Sequence, residues 1–492
     1  MTDRGNHEPA YTAILLAVFL IILSGATARG QAAPGTLAYE ASAAASGAIS
    51  QTQNPLTGSV PSGAATPGVL GLTIKDAIER SLKYNLAILF SEQSTAEARG
   101  ARWVALSHLL PTLNAGVTET RQEINLEALG FPPSAFGAFP GFTPIVGPFN
   151  TFDARAFMNA PILDLSSLRK DRAAREDIEA AHYSYQDARN TVVLVAGNAY
   201  LVANAGKAQV AAAQAEVNTA QALYQQAVDR LHAGLTPQID ALRAQVELKS
   251  RQQQLIVAKN NFATEKLNLA RVIGLAPGQQ FALTTPSAYS PMQEVTYDQV
   301  LRDAYNNRPD YKEALTAVRA AEERRRAVAA ERYPTLSFEG NFGDIGLTPS
   351  NSHETFSAAG TVTIPLFEGG KIHGETIQAD AALKRQQEQL ANLKAQIEYD
   401  VRTALMNLKT AADQVAVAQS NVALTNETLG QARDRFAAGV TDNIEVVQAQ
   451  DAVANANESY ISSLYQDNLA KVALARAAGV AETAVLQYLG GK

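Results

Sequence analysis

Side chains that could do chemistry are few and widely separated in this 492-residue chain. No two of the six histidines stand at the spacing of metal ligands. Cysteine is absent, which excludes disulfides, thiolate metal sites and a cysteine nucleophile. Gly369-Gly370-Lys371 lacks the upstream glycine and the following Ser or Thr of a phosphate-binding loop, and no G-x-S-x-G motif occurs. The sequence therefore predicts a protein that is not an enzyme and uses no cofactor or metal.

One group of polar residues and glycines occurs twice. The segment 230–236, Arg-Leu-His-Ala-Gly-Leu-Thr, is echoed at 435–441 as Arg-Phe-Ala-Ala-Gly-Val-Thr, 205 residues further along the chain. The same offset brings Asp240 onto Glu445. A repeat on this scale predicts that the chain consists of two copies of one long structural unit.

Composition and the N-terminus limit the compartment and the partners. Charged residues make up 18% of the chain and the net charge is −7, so nothing indicates a nucleic-acid partner. Arg4, an apolar run over 13–23 and the small residues Ala26-Thr27-Ala28 predict a secretory signal peptide at 1–28. Residues 29–71 are predicted to be a flexible leader, because a segment so rich in small and polar residues cannot offset its ordering entropy.

The two units are predicted at 72–290 and 291–492, and each combines a first helix with a long helical hairpin. The first helices are expected over about 73–110 and 296–333. The hairpin helices are expected at 164–233 and 237–273 in the first unit and at 369–438 and 442–478 in the second. Each longer arm has about 70 residues and would be on the order of 100 Å long. It ends at a glycine, a residue that adopts positive φ at little cost. Helices of this length must pack on neighbours.

Between these helices the apolar period changes to two, which predicts strands of about ten residues. They are expected at about 112–122, 152–162, 335–344 and 356–366, with a long connection over 123–150 and a shorter one over 343–354. Such alternation is typical of transmembrane strands, and no segment after the signal peptide is long and apolar enough for a spanning helix. Four strands are too few to close a barrel, which needs about eight, and open edges are costly in lipid. At least two chains are therefore expected to share one barrel.

The order of these elements resembles that of the TolC-like outer-membrane efflux proteins, the outer membrane factor family. Its local marks are Asn307-Arg308-Pro309-Asp310, Pro334-Thr335-Leu336 and the run from Ile364 to Gly370, and the resemblance covers about 72–489. It implies a mainly α fold with a small transmembrane β part. Three chains would form a homotrimer with one 12-stranded β-barrel, continued by a periplasmic α-barrel.

The resemblance also implies location, function and partners. The protein would lie in the cell outer membrane, in contact with its lipid and with a periplasmic extension. It would be a passive, gated exit duct of a tripartite efflux or type I secretion system. Its hairpin tips would dock on a periplasmic adaptor (membrane fusion) protein, which connects the duct to an inner-membrane transporter.

Two sets of residues are the candidate sites that the resemblance implies. The adaptor-docking tips would be Gly234, Leu235, Thr236, Gly439, Val440 and Thr441. Asp240 and Glu445 would line a periplasmic gate, where a ring of carboxylates focuses negative potential. The alternatives are ordinary hairpin turns and a solvated helix face. Some family members close the gate with a Tyr and an Arg, but Phe436 and Thr441 occupy those positions here. Arg230, Arg433 or Arg435 could instead pair with the acids.

Aromatic side chains near the strands could anchor a membrane interface or simply pack in loops. They are Phe131, Phe136, Phe139, Phe142, Phe149, Phe152, Phe338, Phe342 and Phe356. Two other protein classes also have long helices, a periplasmic adaptor and a structural coiled coil. The adaptor would have a single hairpin, and the coiled coil would have no proline-bounded strands. The duplication therefore favours the duct, while the substrate and the transporter class stay open.

Overall fold

The computed structural model describes residues 54–130, 132, 143–285, 289–441 and 443–490. The predicted signal peptide at 1–28 lies outside the described residues, as do the first 25 residues of the predicted leader, 29–53. No helix within the described ranges is both long and apolar enough to cross a membrane.

Nine α-helices make up most of the described chain. The helices before the sheet and in the first hairpin are α1 (Ile74–Tyr84), α2 (Leu86–Ser107), α3 (Leu165–His232) and α4 (Gln238–Val272). Those of the second half are α5 (Tyr297–Asn307), α6 (Pro309–Ala330), α7 (Lys371–Ala437), α8 (Asn443–Ala477) and α9 (Ala481–Tyr488). Helices α3 and α7 have 68 and 67 residues, hence a length of about 100 Å each.

The first helix of each half is broken, where the sequence predicted one continuous helix. In the first half the break falls at Asn85, which has extended backbone angles and caps α2 by accepting a hydrogen bond from the Ala87 amide at 2.9 Å. In the second half it falls at Arg308, directly before Pro309. A residue before proline is disfavoured in the helical region, so this second break has a local cause.

Within the described ranges, six strands form two separate sheets. The strands are β1 (Leu70–Leu72), β2 (Thr112–Asn125), β3 (Ile145–Leu163), β4 (Phe281–Leu283), β5 (Thr335–Thr348) and β6 (Asn351–Thr363). Four of them form an antiparallel sheet in the order β2-β3-β5-β6, so β2 and β6 are its edges. The pairing of β3 with β5 joins the two halves of the chain in one sheet.

Three of the four main strands extend well beyond the predicted ten residues. Strands β2, β3 and β5 have 14, 19 and 14 residues, because antiparallel pairing continues past the apolar stretch that the alternation revealed. Strand β6 ends at Thr363, before Pro365, whereas the prediction extended it to 366. The predicted connection over 343–354 is mostly strand, since Thr348 pairs with Asn351 across a tight turn.

The second sheet is a short parallel pair that the sequence did not predict. Strand β1 pairs with β4, and Asn54 caps a short 3-10 helix at Pro55–Thr57. This part of the predicted flexible leader is therefore ordered. Its backbone groups are satisfied by distant segments, for example by the hydrogen bond from the Leu70 amide to the Gln280 carbonyl at 3.0 Å.

The largest core lies where both hairpins meet the shorter helices. Tyr200 of α3 is fully buried there and donates a hydrogen bond to the Leu72 carbonyl at 3.0 Å. Around it pack Ile78 of α1, Leu269 of α4 and Val472 of α8. A second core joins α5, α7 and α8 through Val300, Ile397, Val401 and Leu474. The far ends of the hairpins are thus anchored, and their tips project from these cores.

Candidate functional site

The two hairpin tips have the same backbone. Gly234 and Gly439 follow their helices with φ of +71° and +75°. In the first tip the Leu235 amide donates to the Arg230 carbonyl at 2.9 Å, and the Gly234 amide donates to the Leu231 carbonyl at 3.0 Å. Val440 and Gly439 make the equivalent bonds in the second tip, at 3.0 and 3.1 Å. This is the Schellman pattern that ends many helices, and it requires the positive φ that glycine allows.

The remaining predicted tip residues differ in exposure. Leu235 and Val440 are 67% and 70% exposed, so each tip presents one apolar side chain to its surroundings. Thr236 and Thr441 are half-buried, and the Thr236 hydroxyl is enclosed without a hydrogen-bond partner. Each tip therefore has a glycine without a side chain next to one exposed apolar residue. Another helical hairpin could approach such a surface closely.

The two predicted gate acids lie in the first turns of α4 and α8 but have different surroundings. Asp240 is 6% exposed and faces Arg243 at 3.6 Å. Its carbonyl accepts a hydrogen bond from the Asn443 side chain at 3.3 Å. Glu445 is more open and pairs with Arg435 at 3.1 Å, with 36% of its side chain exposed. Both positions favour a carboxylate, because a helix N-terminus carries partial positive charge.

Arg230 connects the two tips, although it is not paired with either acid. Its Nη1 atom donates to the carbonyls of Phe436 and Ala437 at 3.0 and 3.2 Å. Its guanidinium lies 4.8 Å from the centre of the Phe436 ring, which is 2% exposed. Arg230 thus binds carbonyls in the last turn of α7, where the helix dipole favours a cation.

Apolar contacts behind the tips reinforce this connection. Leu223 of α3 packs in one cluster with Leu429, Phe436 and Val446 of the second hairpin. The first hairpin is closed by the smaller residues Ala227, Ala241 and Ala244. Between the starts of α4 and α8 lies an apolar groove of about 350 Å³, lined by Ile239, Leu242, Val246, Ile444 and Val447.

The four-stranded sheet has one apolar and one polar face. Cross-strand rows of the apolar face include Leu113-Met158-Gly340-Ala358 and Ala115-Ala156-Phe342-Phe356. Phe342 and Phe356 are directly paired and 57% and 79% exposed, and the next row carries Asp344 and Glu354. Aromatic rings beside a charged row suit a lipid–water boundary. Four of the predicted interface aromatics, Phe131, Phe136, Phe139 and Phe142, lie outside the described residues.

The sequence named Arg230, Arg433 and Arg435 as possible partners of the acids without deciding between them, and it missed Asn443. Arg230 and Arg435 are equivalent in the repeat, so their different partners could not be read from the pattern. Asn443 is 1% exposed and bonds across to the other hairpin, but it stands outside the repeated motif. Among the described residues no group of three His, Asp or Glu side chains could hold a metal ion.

This architecture, two long hairpins joined through a shared sheet, defines a class of membrane-associated channel proteins. A family model described as "Outer membrane efflux protein" matches residues 77–275 and 300–480. The chain belongs to this family, whose members are channel proteins of the outer membrane. It therefore lies in the outer membrane of the cell, with its helical part extending into the periplasm.

Individual relatives are distant but cover most of the chain. The chain is 22% identical to the pyoverdine export outer membrane protein OpmQ of Pseudomonas putida, over 82% of this chain and 84% of that protein. It is 21% identical to the alkaline protease secretion protein AprF of Pseudomonas aeruginosa, over 69% and 72%. The outer membrane channel CmeC of Campylobacter jejuni has a similar fold, with a TM-score of 0.70 at 18% identity, over 85% and 88%. The family assignment favours the duct over the adaptor and coiled-coil alternatives.

Proposed function

We propose that three copies of this chain form a passive, gated exit duct. Twelve strands would close one barrel in the outer membrane, and the long hairpins would continue it as a tube across the periplasm. The duct would serve a tripartite efflux or type I secretion system. The observation that carries this proposal is the open, two-faced sheet.

The sheet cannot remain open in lipid. Its edge strands β2 and β6 have 14 and 13 residues and no outer partner among the residues that the structure describes. Each unpaired backbone group in hydrocarbon costs several kcal/mol, so both edges need strands from other copies. Its apolar face suits lipid and its polar face suits a water-filled lumen, as in other outer-membrane barrels. Three copies supply enough strands to close such a barrel.

The tips are the proposed inner end of the duct. Gly234, Leu235, Thr236, Gly439, Val440 and Thr441 would dock on a periplasmic adaptor protein, which an inner-membrane transporter would engage in turn. The exposed Leu235 and Val440 and the adjacent apolar groove support this role. In the proposed gate, Glu445 would present its carboxylate to passing cations, while the enclosed Asp240 would mainly hold the helix start.

The cargo class is wider than one compound. OpmQ is named for pyoverdine export and AprF for alkaline protease secretion, so similar chains are associated with a small molecule and with a protein. We infer a conduit that does not select cargo by a tight pocket, and whose cargo follows from the transporter it joins.

Electron microscopy of the protein extracted from outer membranes in mild detergent tests the proposal. A threefold tube well over 100 Å long is expected. Binding of a purified periplasmic adaptor should then depend on the tips, and a Leu235→Glu, Val440→Glu double variant should lose it. Compact or monomeric particles would contradict the duct, whereas trimers whose adaptor binding survives the double variant would contradict only the docking site.

A further inference from the structure

A small concavity lies on the polar face of the main sheet, away from the tips. It has a volume of about 230 Å³, and its lining includes Asn114, Phe157, Asn159, Glu339, Asn341 and Ser357. These residues come from all four strands, β2, β3, β5 and β6. In the proposed trimer this face borders the lumen, so the inference below rests on the proposed function.

Phe157 is an unusual residue for this face. Its ring stands in a row with Asn114, Asn341 and Ser357, all of them polar. Its ring is 41% exposed on the polar face, whereas the other apolar side chains of the sheet lie mainly on the opposite face. An exposed aromatic ring among amides in a water-filled passage is a surface on which a flat apolar group can stack.

Arg155 holds this ring in place. Its cross-strand neighbours are Gly116 and Gly343, so no side chain beside it competes for the space over the sheet. The guanidinium donates two hydrogen bonds to the Asp153 carboxylate, at 2.8 and 2.6 Å, and a third to the Asn341 side chain at 3.3 Å. It also lies 5.2 Å from the centre of the Phe157 ring. One face of the ring is thus covered by a neutralised cation, and the ring is fixed for contact on its exposed side.

Glu339 supplies the charge of the concavity. It pairs across the strands with Asn159, one row from Phe157, and no ion pair to another described residue neutralises it. Glu339 is a diagonal cross-strand neighbour of Phe157, a spacing of roughly 7–8 Å that leaves room for one ligand to contact both side chains. The amides of Asn114, Asn159 and Asn341 provide further donors and acceptors around this gap.

We propose that this concavity is a contact site for aromatic cations passing through the duct. The aromatic part of the ligand stacks on Phe157, and its positive group faces the Glu339 carboxylate. Contact is weak and reversible, because the site is shallow and open to water, and a passage requires that bound molecules leave. Three copies of the chain would provide three such sites at one level of the barrel.

Fluorescence polarisation of a dye with the purified trimer tests the site. Rhodamine 6G is the probe, a planar cation, and fluorescein serves as the anionic dye with the same ring skeleton. Phe157→Leu should weaken rhodamine binding about 3- to 10-fold, since aromatic stacking is lost. Glu339→Gln should weaken it about 3-fold, and this loss should shrink at high salt. Fluorescein should bind weakly to every variant.

Matched substitutions on the opposite face of the sheet control for general effects. Phe356→Leu removes a ring that is more exposed than Phe157, at 79% against 41%, and Glu354→Gln removes a carboxylate two residues before it on β6. Neither should change rhodamine binding. Equal losses in these controls, or unchanged binding in both Phe157→Leu and Glu339→Gln, would overturn the site. A threefold particle that conducts ions yet binds no dye would refute this inference alone, whereas a wild-type protein that forms no trimer or pore would refute the proposed duct itself.

Discussion

In both halves of the chain a short helix meets a 22-residue helix at a sharp junction, and the two junctions are held by different chemistry. The first uses Asn85, a fully buried neutral amide that bonds the Ala87 amide and, at 2.8 Å, the Leu56 carbonyl. The second uses Arg308, a cation that is 5% exposed and bonds Asp310 at 2.7 Å and Asp400 at 3.0 Å.

The two tips likewise have the same backbone but different side-chain contacts. Their backbone hydrogen bonds are equivalent, yet Arg230 reaches the other hairpin while its repeat equivalent Arg435 stays within its own. Backbone geometry is thus preserved between the halves, and polar side chains have diverged. A divergence of this kind is expected where each copy must contact a different neighbour, because the same turn then faces different partners.

Removal of the charged junction should have the largest effect. Arg308→Ala leaves Asp310 and Asp400 without their buried cation, so we expect a loss of about 3–5 kcal/mol in unfolding free energy. Asn85→Ala removes a cap and one further hydrogen bond and should cost about 1–3 kcal/mol. Thermal unfolding of the purified variants, followed by circular dichroism at 222 nm, compares the two.

Arg319→Ala is the matched control, because Arg319 of α6 is largely exposed and pairs at 2.8 Å with Glu176 of α3. It should cost less than about 1 kcal/mol. If Arg308→Ala lowers the unfolding free energy no more than Asn85→Ala does, the charged junction is not the stronger of the two.

The second-largest difference is expected between the arginines of the two tips. Arg230→Ala removes charged hydrogen bonds to the end of α7, which we expect to loosen the contact between hairpins by about 2 kcal/mol. Arg435→Ala breaks a surface pair worth no more than about 1 kcal/mol. Single-channel recordings in planar bilayers should therefore show larger or more frequent openings for Arg230→Ala than for Arg435→Ala. Equal recordings for the two variants would remove Arg230 as the link between tips.

The charged junction should also make the second half sensitive to pH. Burial, with the nearby carboxylates of Asp187 and Asp310, raises the pKa of Glu313 to about 6. A carboxyl whose pKa is raised by folding stabilises the protein below its unfolded pKa and loses that contribution as pH rises through 6. The protein should therefore become more stable as pH falls from about 7 towards 4.5, the range set by this raised pKa and the unfolded value.

Glu313→Gln tests this origin. The variant should be more stable than the wild type at pH 7.5, by about 1 kcal/mol, and should match it near pH 4.5. Glu322→Gln, which changes an exposed carboxylate on the same helix, should leave the pH dependence intact. A wild-type stability that does not vary between pH 7.5 and 5, or a slope that survives in Glu313→Gln, would assign the effect to other groups.

The smallest effect is expected for the gate acids. Glu445→Gln should change stability by less than about 0.5 kcal/mol, because its pair with Arg435 is exposed. If Glu445 lines the gate, its loss should still lower the preference for cations, measured as the reversal potential across a KCl gradient. Asp240→Asn should change that potential less, since Asp240 is enclosed. The opposite order would exchange the roles of the two acids.

Much of the fold could be predicted because its signals are local and strong. The long helices follow from alanine-rich stretches ended by Gly234 and Gly439, and the strands follow from alternation after Pro111 and Pro334. The short β1–β4 pair could not be predicted, because three residues carry no periodic signal and their partner lies about 210 positions away. The break at Asn85 was missed for a related reason, since its amide is satisfied by the distant Leu56.

The sequence by itself determined the duplication, the class of element at each position, and the glycines at which the hairpins turn. These features depend on residue type and spacing, which two copies in one chain make visible. Only the tertiary structure decided the partners of the polar residues: Arg230 with the Phe436 carbonyl, Glu445 with Arg435, and Arg155 with Asp153 beneath Phe157. A charged side chain can bond any suitable group within its reach, so its choice depends on which helices and strands pack beside it.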